Sequence, residues 1–305
     1  MNYSNNSIIY LSVILPAYNT PSSILERAIK SVINQTYPYF EFIIVDDGSF
    51  PSLEPIVKKF NDERIIYIRH GENKGTGVAL NTGIRSAKYD WIAIICHDDE
   101  WLPDKLEVQV EIIKKNIDNS NLALIYTDVF FYENDTLRNN SYGFKCITDN
   151  FYENCLTYGF ISASTIVIKK QALYDIGLYD ESGVLIDWDL YIRLSAKYSF
   201  YCICKKLVNY YHSSIGISHP LFENTNVKAC NDIIKLYFKW KKEIFKYKNS
   251  KKLWSVRLNS IAKIYLERKQ KKQALKLYYE SLKLNPFWLG NYFDVVKYFI
   301  LFKKP

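Results

Sequence analysis

Ile94-Ile95-Cys96-His97-Asp98-Asp99-Glu100-Trp101-Leu102-Pro103 carries the strongest chemical signal in this chain. An apolar run, Trp91 to Ile95, leads straight into two adjacent carboxylates, and Pro103 reads as the first residue of the helix that follows. Charged groups at the end of a buried strand need a partner. Asp98 and Asp99 repel each other, so a cation is the natural one. Hard oxygen donors suit a divalent ion that also holds phosphates, so the stretch points to a nucleoside diphosphate as part of the ligand.

Upstream, Leu11 to Leu15 reads as a strand stopped by Pro16, and Phe40 to Val45 as a second strand ended by Asp46-Asp47-Gly48-Ser49. Between them Ile24, Ala28, Ile29, Val32 and Ile33 carry helical spacing over Ser22–Ile33, with Ser22 or Ser23 as the expected cap. Leu53–Phe60, Gly75–Ala87 and Pro103–Ile117 read as helices; Arg64–Ile68, Leu122–Phe131 and Ser162–Ile168 read as strands. Asp187–Lys197 is expected to be helical. Alternating strands and helices predict an α/β fold with a mixed, mainly parallel sheet flanked by helices. Short continuous apolar strands predict burial on both faces. In such sheets the ligand crevice lies beyond the carboxyl ends of the strands. Pro16-Ala17-Tyr18-Asn19, Asp46-Asp47-Gly48-Ser49 and His97-Asp98-Asp99 all fall at such ends, and are expected to converge.

A chain of 305 residues can hold one large domain and an appendage. With 48% hydrophobic and 24% charged residues it has the composition of a folded soluble protein rather than a disordered one. Met1 to Tyr10 lacks a basic n-region and an apolar h-region, so no signal peptide is expected, and no eighteen-residue apolar run predicts a spanning helix. The six cysteines are scattered, and Cys202-Ile203-Cys204 has the wrong spacing for a zinc knuckle; all six are expected to be reduced, which fits the cytoplasm. Charge is divided unevenly. Thr225–Pro305 holds 20 Lys+Arg against 5 Asp+Glu, a net +15, and the preceding residues carry a net −7. A domain boundary is expected near residue 224, separating 1–223 from a basic helical extension, 224–305. No nucleic-acid-binding motif accompanies the basic tail, so an anionic membrane face or a protein partner is expected instead, and a merely solvated lysine face is the competing reading.

The ordered set of motifs resembles the family 2 glycosyltransferases with the GT-A fold. It comprises Val13 to Asn19, Ser31 to Tyr37, Ile44 to Ser49, Asn73-Lys74-Gly75, His97-Asp98-Asp99 with Trp101-Leu102-Pro103, Gly177 to Glu181, and Asp187-Trp188-Asp189-Leu190. The resemblance covers about residues 11 to 218. It implies an inverting, metal-dependent transferase that moves a sugar from a nucleotide-diphospho-sugar, UDP-linked by expectation, to a saccharide or lipid-linked acceptor in surface polysaccharide synthesis. The competing reading is a nucleotide-sugar-binding protein without turnover.

The resemblance assigns roles residue by residue. Asp46 sits where the family binds the uracil ring, although Asp-Gly-Ser also forms turns without any ligand. Pro16, Ala17, Tyr18, Asn19, Asp47, Lys74, Gly75, His97, Asp98 and Asp99 complete the expected donor site, with Tyr18 as a stacking face. Asp98 matches the metal-contacting aspartate of the DxD motif, whose first acid is here Cys96. His212 is the expected additional ligand for Mn2+ or Mg2+. Asp187 matches the general base, with Ile186 where the family has glutamate; an apolar neighbour helps raise a carboxylate's pKa. Asp187 could instead cap the helix, and Asp189 could be cap or base, which leaves that pair open by two residues.

In the extension, Leu258, Ile261, Ala262, Tyr265, Ala274, Tyr278, Ser281 and Pro286 follow the tetratricopeptide spacing, predicting one hairpin over about 253–286, with a generic helical hairpin as the alternative. Tyr292–Phe302, aromatic and flanked by lysines, suits an interfacial helix. The resulting expectation is a cytoplasmic enzyme, peripheral at the inner face of the membrane.

Overall fold

All seven residues of β1 (Leu11–Ala17) are buried, because the strand is covered on both faces. Leu11, Val13 and Leu15 pack with Leu25, Ala28, Ile29 and Val32 of α1 (Ser22–Ile33), whose i, i+3, i+4, i+7 spacing makes one apolar stripe. The computed structural model that shows this describes residues 8–138, 146–159, 161–182, 185–212 and 227–287. β1 pairs in parallel with β2 (Phe40–Asp46) on one side and β4 (Trp91–Ile94) on the other, and β3 (Ile65–Arg69) lies outside β2. The crossovers carry α1, the short α2 (Glu54–Val57) and α3 (Thr76–Ser86).

Beyond β4 the sheet becomes antiparallel. The full order among the described residues is β3-β2-β1-β4-β8-β6-β9-β5, with β7 on β6. Here β5 is Glu100–Trp101, β6 Leu122–Glu133, β7 Thr136–Arg138, β8 Val167–Lys169 and β9 Ser199–His212. The first four strands are parallel, and β6 with β9 makes the fourth parallel pair. Helix α4 (Lys105–Lys115) follows β5, and α5 (Phe151–Thr157), α6 (Lys170–Asp175) and α7 (Ile186–Ser195) come later in the chain.

Several local expectations change. Pro21, not a serine, is the N-cap of α1, and Ser22 Oγ donates instead to Glu26 Oε1 at 2.9 Å. Pro103 does not open α4: the Leu102 N–H donates to Leu207 O at 3.0 Å, which holds residues 102–104 in a turn before the helix. The predicted 162–168 strand is a 3-10 turn, Ala163–Thr165, followed by β8, because Ser162 O accepts both the Thr165 N–H and its hydroxyl. Nor are the cysteines all scattered. Cys146 Sγ lies within disulfide-bonding reach of both Cys202 and Cys204, while Cys96, Cys155 and Cys230 lie elsewhere.

The chain divides into two compact units, 1–152 with 159–213, and 153–158 with 214–305. The second contains α8 (Val227–Ile244), α9 (Lys248–Glu267) and α10 (Lys271–Leu284). Leu258, Ile261, Ala262 and Tyr265 of α9 and Ala274, Tyr278 and Ser281 of α10 are all buried. The small Ala262 and Ala274 allow the approach, and buried Ser281 Oγ donates to Ser255 O at 2.8 Å. This is a helical hairpin beginning at residue 248; nothing identifies it as a tetratricopeptide repeat. Among the described residues no helix is long and apolar enough to cross a membrane. Tyr292–Phe302 lies outside the described residues.

Candidate active site

Because β1, β2 and β4 run parallel in register, their carboxyl ends finish along one edge, which is where a parallel sheet presents its loops to a ligand. Asp46 closes β2 and turns inward. Its Oδ1 accepts the Ser49 N–H at 2.8 Å; its Oδ2 accepts the Leu53 N–H at 3.1 Å and the Tyr67 hydroxyl at 2.5 Å, with Arg69 Nε at 3.5 Å. Burial opposes its ionisation, but the hydrogen bonds from Ser49, Tyr67 and Leu53 outweigh burial and hold its pKa below the usual carboxylate range. The residue is fully enclosed. In this structure Asp46 is the clamp of the 46–53 turn.

Asp47 organises the neighbouring loop. Its Oδ1 accepts His70 Nδ1–H at 2.6 Å and the Lys74 N–H at 3.0 Å, and its Oδ2 accepts the Gly75 N–H at 2.8 Å. It thereby holds the approach to α3, whose N-cap is Gly75. Gly48, at φ +77°, makes the closure possible, since a Cβ there would lie 2.3 Å from the Glu72 carbonyl carbon. Asn19 is tied to the same turn: its N–H donates to Ser49 Oγ and its Oδ1 accepts the Phe50 N–H, both at 2.9 Å. Pro16 and Ala17 are buried within β1, whereas Tyr18 and Lys74 are exposed at the edge.

The acidic segment after β4 is fixed from three directions. β5 pairs it with β9, Glu100 opposite Asn209. Arg27, on α1, donates to the Asp98 carbonyl at 2.6 Å and lies 3.6 Å over the Tyr211 ring. Ser164 donates to Asp99 Oδ2, accepts the Cys96 N–H at 2.9 Å, and its carbonyl accepts Trp101 Nε1–H at 2.7 Å. Asp99 Oδ1 accepts the Tyr211 N–H at 3.1 Å. Burial and the neighbouring Asp98 charge nevertheless drive the Asp99 pKa well above its usual value. Ser164, Tyr211 and Arg27 were not singled out from sequence. Their only signals were a serine inside an apolar run, an aromatic in a tyrosine pair, and a cation within an apolar helix.

Ligand atoms of Cys96, Asp98 and Asp99 lie within 4.8 Å of one another. This set fits a hard divalent ion that keeps water among its ligands, with two carboxylates whose mutual repulsion a cation would relieve. His212 does not join the cluster; its ring stacks on Phe131, 6.0 Å between centroids. β9 pairs its position with Glu133, one residue beyond Tyr211, whose N–H reaches Asp99. His97 is half-buried, with Nδ1 enclosed and without a hydrogen-bond partner.

Asp187, 88 residues beyond Asp99, lies close enough to act on this cluster electrostatically. Burial raises the Cys96 thiol far above its usual pKa, and the charges of Asp99, Asp98 and Asp187 add to that effect. Asp187 lies in the first turn of α7, but the N-cap is Leu185 and no side chain caps the helix. Its Oδ1 is enclosed without a hydrogen-bond partner, and burial raises its pKa to about 6. Asp189 is differently employed: it is buried, and its Oδ2 accepts Arg193 Nε–H at 2.8 Å. The Arg193 guanidinium also donates to Ile176 O and Leu178 O, both at 2.7 Å. Gly77 lets the 177–181 segment lie against α3, since a Cβ there would sit 2.8 Å from Asp180 O.

A sheet whose parallel strands end in acidic turns, joined by a helix-borne carboxylate, has the architecture of the GT-A sugar-nucleotide transferases. The sequence profile described as Glycosyl transferase family 2 matches residues 12–177, more than half of the chain, and the chain belongs to that family. It is 32% identical over 210 residues to an uncharacterized glycosyltransferase of Methanocaldococcus jannaschii, covering 66% of this chain and 70% of that protein. It is 30% identical over 164 residues to the Escherichia coli UDP-Glc:alpha-D-GlcNAc-diphosphoundecaprenol beta-1,3-glucosyltransferase WfgD, covering 53% of this chain and 61% of that one. In fold it resembles a mannosyltransferase from Pyrobaculum calidifontis solved with GDP-Man and Mn2+, with a TM-score of 0.59 and 14% identity over 99% of this chain and 83% of that one.

Proposed function

We propose that this glycosyltransferase transfers a sugar from a UDP-sugar to a hydroxyl of a saccharide or lipid-linked acceptor, with inversion, in surface polysaccharide synthesis. One observation carries the reading: Asp187 holds an enclosed, unpartnered carboxylate oxygen beside the Cys96–Asp99 cluster, with a pKa near 6. A base at that pKa is ionised at neutral pH yet basic enough to take a proton in the transition state. Asp187 receives the acceptor hydroxyl proton as that oxygen attacks the anomeric carbon opposite the leaving diphosphate, through an oxocarbenium-like state. Asp189 is held by Arg193 and orients α7. A divalent ion held by Asp98 and Asp99 would supply charge neutralisation for the diphosphate. Tyr18 and Lys74 line the nucleotide side, and the turn clamped by Asp46 and Asp47 shapes it.

The UDP preference draws on the WfgD relationship, and use of Mn2+ or Mg2+ on the donor set described above. Contact of the basic tail with an anionic membrane or a protein partner belongs to the same reading, and places the enzyme in the cytoplasm at the inner face. Its support is the net +15 of residues 225–305. Transfer from a panel of nucleotide sugars to polyprenyl-diphosphate-linked acceptors, with Mn2+ or Mg2+, tests the reading. A second reading, donor binding without turnover, is favoured by Cys96 standing where the motif has an acid. UDP binding with no transfer to any acceptor would establish that reading instead.

A further inference from the structure

We infer that Cys146, Cys202 and Cys204 form a soft-metal site, a three-thiolate centre for Zn2+, separate from the acidic turn. The three sulfurs lie within 4.8 Å of one another although Cys146 is 56 and 58 residues from its partners in sequence. The Cα atoms of Cys146 and its partners are 5.7 and 5.6 Å apart. A sulfur makes only one disulfide, so pairing Cys146 with either partner leaves the other thiol idle. A shared cation engages all three. With Zn–S bonds of about 2.3 Å, tetrahedral geometry separates ligand sulfurs by about 3.8 Å, so the thiols, which stand at disulfide-bonding distance in this structure, move apart by side-chain rotation as the cation enters.

The backbone is arranged for it. Cys202 and Cys204 alternate along β9 and so point to one face. The β6–β9 register is regular from Phe200 opposite Leu124 to Ile203 opposite Thr127 and then jumps to Lys206 opposite Asp128. Cys204 therefore sits in a bulge, a device that re-aims a side chain. Cys146 is brought in by its neighbour: the Ile147 N–H donates to the buried Tyr126 hydroxyl, which donates back to Ile147 O, both at 2.9 Å. Tyr126 lies opposite Cys202 in the sheet. Cys204 is exposed, so water has access to complete the coordination. Closing a loop of this length through a metal stabilises the fold by restricting the unfolded chain and adding ligand-binding free energy.

The test uses the full-length reduced protein titrated with Co2+ and then Zn2+. A thiolate-to-cobalt charge-transfer band saturating at one equivalent and displaced by Zn2+ is expected. The band survives in Cys96→Ser, which removes the only thiol of the acidic cluster, and disappears in Cys204→Ser. One equivalent of Zn2+ raises the melting temperature of the wild type and of Cys96→Ser by more than that of Cys204→Ser, in which only the acidic turn is left to bind it. Because Cys204 is exposed, serine there leaves the fold intact, and Cys146→Ser repeats the loss. No band in the reduced wild type overturns the inference. So does a band lost in Cys96→Ser and kept in Cys204→Ser, or a Cys146 disulfide as the only linkage formed while the reduced protein ignores Zn2+.

Discussion

The Ser164 hydroxyl donates to Asp99 Oδ2 across 65 residues of sequence and accepts the Cys96 N–H, so one side chain ties both ends of the acidic turn to the 3-10 segment before β8. Ser164→Ala leaves a buried carboxylate and a buried N–H short of a partner, which costs about 1–3 kcal/mol. The expected result is a lower melting temperature together with a higher metal concentration for half-maximal UDP binding. An unchanged metal requirement would show that Asp99 is positioned without Ser164.

Asp98→Ala is expected to remove the Mn2+-dependent part of the thermal shift given by UDP while leaving the melting temperature of the free protein close to wild type. Asp98 is half-buried and its carboxylate is not part of the core, so the variant should fold. A UDP shift that still depends on Mn2+ in this variant would put the ion elsewhere.

Asp187→Asn is expected to keep UDP binding and lose roughly 10²–10⁴-fold in transfer, the usual contribution of general base catalysis. The wild-type kcat/KM should fall on acidification with a midpoint near pH 6, since the base must be ionised to act. The same residue carries a stability cost. Its folded pKa lies above the unfolded value of 3.8, so the stability it contributes is present below pH ~4 and is lost as pH rises through about 6. Removing the charge should therefore stabilise the protein at pH 7, by at most about 3 kcal/mol. Equal melting temperatures for wild type and Asp187→Asn at pH 7.5 would contradict the burial argument.

Asp46 behaves in the opposite sense. Its lowered pKa means that the stability it contributes is present above pH ~4 and lost as pH falls through the folded value. Tyr67→Phe and Asp46→Asn should each destabilise the protein without any ligand, by about 1–3 kcal/mol, because they break the clamp of the 46–53 turn. If Asp46→Asn left stability unchanged but abolished UDP binding, the carboxylate would be a base contact and not a clamp.

Much of the first unit was legible because its signals are local. Leu11–Ala17 and Phe40–Asp46 are continuous apolar runs, α1 has an unbroken stripe, and each strand ends in a distinctive polar cluster. What failed was also local in cause. Ser22 chose Glu26 over the helix end, and Thr165 folded back on Ser162, because a short polar side chain has several partners within reach. Asp46 and Asp187 carry the same functional group and look alike in sequence; four donors enclose the first, and one oxygen of the second has none.

The strand–helix alternation, the sheet edge that gathers the polar clusters and the residue types available there follow from local patterns, since hydrophobic period and strand-end chemistry are written within a dozen residues. Long-range packing sets which carboxylate is clamped, which has an oxygen left unpartnered, that Asp189 pairs with Arg193, and that three distant thiols meet. Those outcomes depend on desolvation and on donors contributed from tens of residues away, and neither exists until the chain has folded.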